Sequence, residues 1–115
     1  CNGPLADYEF PVVLPNWDNT PRSGSNGLVL TDSNPRLFGA LLKKALKQVQ
    51  SRPSERQLVF LKSWNEWAEG NYLEPDSKYG LAYLTAIKEA LAEFNAANKA
   101  PAFIANNEYA NSLPY

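Results

Sequence analysis

The sequence predicts an α/β fold: the C-terminal portion, about two βα units, of a (β/α)₈ barrel. Three observations predict it. Two short apolar runs, Phe10-Pro11-Val12-Val13-Leu14 and Leu58-Val59-Phe60-Leu61, lack polar alternation, as expected of parallel strands covered on both faces. Each run is followed by a long polar loop and then by apolar residues at helical spacing, an order that implies parallel pairing through crossovers. Finally, 115 residues in this arrangement bury little apolar surface, but they fit as the last quarter of a barrel of about 250 residues.

Taken in order, the first strand ends at Pro15. The chain from Pro15 to Asn34 is dense in Pro, Gly, Asn, Asp and Ser, longer than an ordinary connection and so a candidate functional loop. A small extended patch, Leu28-Val29-Leu30, interrupts it. Ser33-Asn34-Pro35 supplies a capping residue and a proline at the first helical position. Phe38, Leu41, Leu42, Ala45, Leu46 and Val49 then recur at helical spacing, placing the first helix at about Pro35 to Gln50. Arg52-Pro53-Ser54 breaks it, and Leu58 to Leu61 forms the second strand. After Pro75-Asp76-Ser77, where Asp76 reads equally well as a rim residue or as a helix cap, Leu81, Leu84, Ile87, Leu91 and Phe94 trace one face of a second helix reaching about Asn95. Residues 1–98 are read as barrel units and residues 99–115 as an irregular tail.

Composition narrows the function. With 44% hydrophobic residues and a net charge of −1, the chain is neither disordered nor membrane-like. Eleven basic against twelve acidic residues leave no patch able to neutralise a phosphate backbone, so no nucleic-acid partner is expected. No apolar stretch approaches the roughly 20 residues of a membrane span, and no signal peptide is visible. Cys1 is the sole cysteine and histidine is absent, so neither an internal disulfide nor a Cys/His zinc site is available. No metal and no cofactor is expected. A chain that opens on Cys1 and contains no methionine reads as a piece of a longer protein, with the N-terminal part of the barrel lying upstream.

The chemistry concentrates in the loops after the two strands, which in a barrel of this kind share one rim. The second carries Trp64-Asn65-Glu66-Trp67-Ala68-Glu69-Gly70. Acids three apart in a helical turn share a face with Cβ atoms about 5–6 Å apart, and paired carboxylates are the usual machinery of glycosidic cleavage. Glu66 and Glu69 are therefore the catalytic candidates, against the alternative of solvated acids favoured by a helix dipole. Like charge and apolar walls would drive two such acids apart in proton affinity. Trp67 and Trp17 foremost, and Trp64 behind them, offer faces for a pyranose ring or serve as core and lid. In the first loop Asp18, Asn19 and Arg22 suit hydroxyl or carboxylate recognition, with Asx-turn formation the alternative for Asp18 and Asn19. Asn65 and Glu74 complete the substrate-binding candidates. Tyr72 and Tyr79 read as rim packing, and Gly24-Ser25-Asn26-Gly27 as a flexible loop.

The string Trp64-Asn65-Glu66-Trp67-Ala68-Glu69-Gly70-Asn71-Tyr72-Leu73-Glu74-Pro75-Asp76, followed by Tyr79-Gly80, resembles the WbsX-type family, whose members are labelled glycosyltransferases or lipopolysaccharide biosynthesis proteins. Trp17-Asp18-Asn19-Thr20-Pro21-Arg22 fits the preceding strand-end motif of the same family. The likeness covers about Tyr8 to Phe94. That family is in turn similar to family 99 glycoside hydrolases, endo-acting α-mannosidases with a (β/α)₈ barrel and no required cofactor. The resemblance implies that Glu66 assists the sugar's own 2-hydroxyl as base and that Glu69 protonates the leaving oxygen. Those hydrolases commonly hold histidine where this chain has Ala68, a departure that favours the WbsX-type branch.

Two classes of function follow. One is a carbohydrate-active enzyme segment acting on a polysaccharide or lipopolysaccharide glycan, as transferase or as retaining hydrolase; a polysaccharide-assembly transferase would place it in the cytoplasm. The other is a non-catalytic carbohydrate-binding remnant that kept the aromatic rim.

Overall fold

The computed structural model describes residues 3–99. Strand β1 (Val12–Val13) and strand β2 (Phe60–Leu61) pair in parallel, with Val12 opposite Phe60 and Val13 opposite Leu61. The Phe60 N–H donates to the Pro11 carbonyl at 2.9 Å and the Lys62 N–H to the Val13 carbonyl at 3.1 Å. Between them runs helix α2 (Pro35–Val49), so the predicted strand, helix and parallel strand are present. The ladder is shorter than the five- and four-residue runs expected. Among the described residues each strand has one neighbour, and Pro11 brings no N–H, so the flanking residues find no further partner.

Among the described residues only one face of this pair is covered. Val13 is buried, and Val59 and Leu61 pack against the core. Val12 and Phe60, on the opposite face, are more than half exposed, at 53% and 54%. A groove of ≈ 480 Å³ runs beside β1, lined by Leu5, Phe10, Val12, Leu14, Leu30 and Leu41 among others. The helix begins as read: Asn34 is extended, its side chain accepts from the Leu37 N–H at 3.0 Å, and Pro35 opens the first turn. Asn34→Ala is expected to cost about 1 kcal/mol, seen as a lower urea midpoint at unchanged m-value.

The second long helix, α3 (Ala82–Lys99), lies along α2. Their approach is close at Gly39, where a Cβ would sit 3.3 Å from the Ala86 methyl. Phe38, Leu42, Ala45 and Leu46 from α2 join Val13, Leu73, Tyr83 and Ala90 in one core. The Tyr83 ring meets Phe38 edge-on at 5.4 Å, and its hydroxyl donates to the Pro15 carbonyl at 3.2 Å. Burial pushes that hydroxyl up to about 12.

Two boundaries differ from the sequence reading. Helix α3 continues four residues past Asn95 through alanines of high helix propensity, and Gln50 Nε2 reaches Asn98 Oδ1 at 3.2 Å across the helix pair. Asp76 caps not this helix but the turn before it: its carboxylate accepts from the Tyr79 N–H and its carbonyl from the Gly80 N–H. Gly80, at φ 53°, separates that turn from α3. Of the expected tail, residues 100–115 lie outside the described residues.

Candidate active site

The loop after β1 folds back on itself. The Leu28 to Leu30 patch pairs with the start of the loop: Asp18 bridges Val29 in antiparallel sense, the Leu30 N–H donates to the Trp17 carbonyl at 2.8 Å, and the Asn19 N–H to the Leu28 carbonyl at 3.3 Å. Asn19 Oδ1 accepts the Leu28 N–H at 2.7 Å. One helical turn, α1 (Thr20–Ser23), fills the bend. Asp18 Oδ1 accepts the Thr20 hydroxyl at 2.6 Å and the Thr20 N–H at 3.0 Å, an Asx-type arrangement. The side chains of Asp18 and Asn19 thus shape the loop.

The Thr20 hydroxyl, and after it the Thr20 N–H, hold the Asp18 carboxyl below the usual carboxylate range. A depressed folded value contributes stability above the unfolded pKa of about 3.9, which is lost as pH falls through the folded value. Thr20→Val removes the larger cause, so Asp18 is expected to titrate at higher pH and the loop to loosen earlier on acidification. A carboxyl-carbon NMR titration of the variant beside the native protein checks both.

The loop after β2 departs from the helical turn expected of Glu66 and Glu69. Strand β3 (Asn65–Glu66) and strand β4 (Asn71–Tyr72) form an antiparallel hairpin, with Asn65 opposite Tyr72 and Glu66 opposite Asn71. A 3₁₀ turn over Trp67–Glu69 closes it. Gly70 completes the reversal at φ 57°, ψ 21°, the left-handed region that favours glycine. What closes the hairpin is Asn71, fully buried. Its Oδ1 accepts the Ser63 N–H at 2.6 Å, its carbonyl accepts the Ser63 hydroxyl at 2.7 Å, and Ser63 Oγ accepts the Glu66 N–H at 3.2 Å. A buried amide with such partners outweighs the preference of a short segment for one helical turn. Ser63 and Asn71 were not singled out from the sequence; the one signal was a polar residue inside an aromatic motif.

The two loops meet at Glu69. Its carbonyl accepts the Asp18 N–H at 2.8 Å, and its Oε1 lies 3.5 Å from Arg22 Nη1. A Cβ on Gly70 would sit 3.4 Å from Asp18, so this approach is close. Arg22 is mostly exposed and Glu69 largely covered, at 63% and 19% of the side chain. The Glu66 side chain is half-buried, and among the described residues its carboxylate has no hydrogen bond or ion pair. Asn65 is exposed on the hairpin.

The aromatic residues divide. The Trp17 Nε1–H is buried without a partner among the described residues, and Lys62 Nζ stands 4.4 Å from the Trp17 ring centroid. Trp64 is exposed, and its carbonyl anchors the N–H groups of Leu73 and Glu74. Trp67 stacks on Tyr72, with centroids 3.6 Å apart and planes at 12°. Its Nε1–H donates to Glu74 Oε2 at 2.7 Å. Tyr72, set aside from the sequence as rim packing, is half of that pair.

Against known proteins, the family model described as Glycosyltransferase WbsX matches residues 3–87. Proteins named Uncharacterized protein WxcX from two strains of Xanthomonas campestris pv. campestris, B100 and ATCC 33913, are each 41% identical over 90 residues, 76% of this chain. The chain spans 13% of the length of these relatives. No solved structure matches it. Among the described residues no helix is long and apolar enough to cross a membrane.

Proposed function

Because the chain belongs to the glycosyltransferase WbsX family, we propose that it is a segment of an enzyme acting on glycosidic bonds of a polysaccharide or lipopolysaccharide glycan, with Glu66 and Glu69 as its acid/base pair. The observation that carries this reading is the junction at Glu69, where the loops after the two parallel strands converge through Asp18 and Arg22. Convergence of strand-end loops is how barrel enzymes assemble a site from distant parts of the chain. The proposed division of labour gives Glu69 the leaving-group proton and Glu66, with both carboxylate oxygens uncommitted within the described chain, the task of base toward the sugar's 2-hydroxyl. Trp67, Asn65 and Arg22 line the sugar side. Asp18, Asn19 and Trp17 hold the first loop in place beneath it.

The same reading extends to the fold. Val12 and Phe60 on the uncovered sheet face and the groove beside β1 are what two neighbouring βα units of a (β/α)₈ barrel present to the remaining strands. An endo-acting retaining hydrolase uses the same two acids with water as acceptor in place of a sugar.

Replacing both acids by glutamine in the intact protein separates these readings from a carbohydrate-binding remnant. Turnover of a glycan is expected to vanish while calorimetric binding of that glycan persists. Unchanged turnover would remove the acid pair from the mechanism.

A further inference from the structure

We propose that the outward face of the Trp67 indole is a stacking subsite for a neutral pyranose unit of the glycan, and that Tyr72 and Glu74 are the residues that position it. The inference rests on the glycan reading of this site.

One face of the indole is covered by Tyr72 at 3.6 Å, and within the described residues Trp67 remains 47% exposed, an exposure left to the opposite face and the ring edge. Rotation about the stack is blocked from two directions. The indole Nε1–H is tied to Glu74 Oε2 at 2.7 Å, and the Tyr72 hydroxyl donates to Asp76 Oδ2 at 3.0 Å. Glu74 and Asp76 both lie in the segment that leads from the hairpin to α3, so each ring is fastened to the same stretch of backbone. Exposed tryptophans are ordinarily free to change rotamer, and ordering them on binding weakens affinity. Here the ordering is built in before a ligand arrives. A flat apolar surface held in one orientation suits the C–H face of a pyranose.

Its place fixes which sugar it serves. Trp67 follows Glu66 directly and opens the turn that ends at Glu69, so the platform borders the proposed acid pair. Glu66, its neighbour along the chain, and Glu74, bonded to its indole N–H, place two carboxylates beside it. A uronate on the platform would meet like charge; a neutral ring would not. Glu74 thereby has two separable effects: its oxygen holds the indole, and its charge excludes acids.

Calorimetric titration of the intact protein at low ionic strength with neutral manno-, gluco- and galacto-oligosaccharides, and with oligogalacturonate, tests this. Saturable binding of at least one neutral probe is expected, with none for oligogalacturonate. Trp67→Ala is expected to abolish it. Glu74→Leu, which leaves the indole N–H without its acceptor, is expected to weaken it about tenfold, or about 1.4 kcal/mol, at an unchanged melting temperature. Glu74→Gln keeps an accepting oxygen and is expected to bind neutral probes as the native protein does while admitting oligogalacturonate. Binding unaffected by Trp67→Ala or Glu74→Leu, no neutral binding, a preference for the uronate, or Glu74→Gln binding as poorly as Glu74→Leu would each overturn the proposal. Should Glu66→Gln and Glu69→Gln leave turnover intact while Trp67→Ala abolishes binding, the acid-pair reading fails and the platform stands.

Discussion

Glu69→Gln in the intact protein is expected to lower kcat on its glycan substrate about 10²–10⁴-fold, the usual worth of a positioned proton donor, with KM little changed. Glutamine keeps the size of the side chain and an oxygen that still accepts from Arg22 Nη1, so the junction between the two loops survives. The backbone half of that junction, the Asp18 N–H on the Glu69 carbonyl at 2.8 Å, is untouched by any side-chain change. Only the transferable proton is removed. A loss confined to kcat marks an interaction made in the transition state and not in the ground state. The limb of the pH–rate profile that reports the essential acid should disappear with it. A variant with native kcat would exclude Glu69 as the acid; one that fails through KM would make it a binding group.

Phe38→Ala should be the most destabilising single truncation in the segment, at about 3–5 kcal/mol. Phe38 is 2% exposed and faces α3 from α2. It meets Tyr83 edge-on, in a geometry that adds to the area term. The cavity would not collapse easily, because Tyr83 is tethered through its hydroxyl to the Pro15 carbonyl. Pro15 is also where the loop carrying Trp17 to Arg22 departs, so the loss is expected to reach the site as well as the core. Urea unfolding of the intact protein, with midpoint and m-value both fitted, measures it. A shift below about 1 kcal/mol, the scale of an ordinary substitution, would mean that Phe38 does not carry this packing.

Much of the scaffold was legible because its signals are local. The Asn34-Pro35 start of α2 and the apolar positions of α2 and α3 follow from hydrogen bonds and spacings within a few residues. Parallel adjacency of β1 and β2 followed from a helix lying between two apolar runs. The motif at Trp64 to Asp76 marked, by resemblance, the family. Misreadings arose where a local preference met a distant partner. Glu66 and Glu69, spaced for a helical turn, were pulled into a hairpin by the burial of Asn71 against Ser63. Asp76, well suited to cap a helix, was taken by Tyr72 and Tyr79.

By itself, then, the sequence determined the two long helices, the cap of α2, the parallel order of β1 and β2 and the segment bearing the acids, since each is decided by residues near one another along the chain. Tertiary structure alone decided that Arg22 reaches Glu69 across 47 positions, that Trp67 lies on Tyr72, and that Asn71 is buried against Ser63. Those contacts depend on how β1 and β2 come side by side and carry their loops together. That is a property of packed surfaces, and no spacing rule contains it.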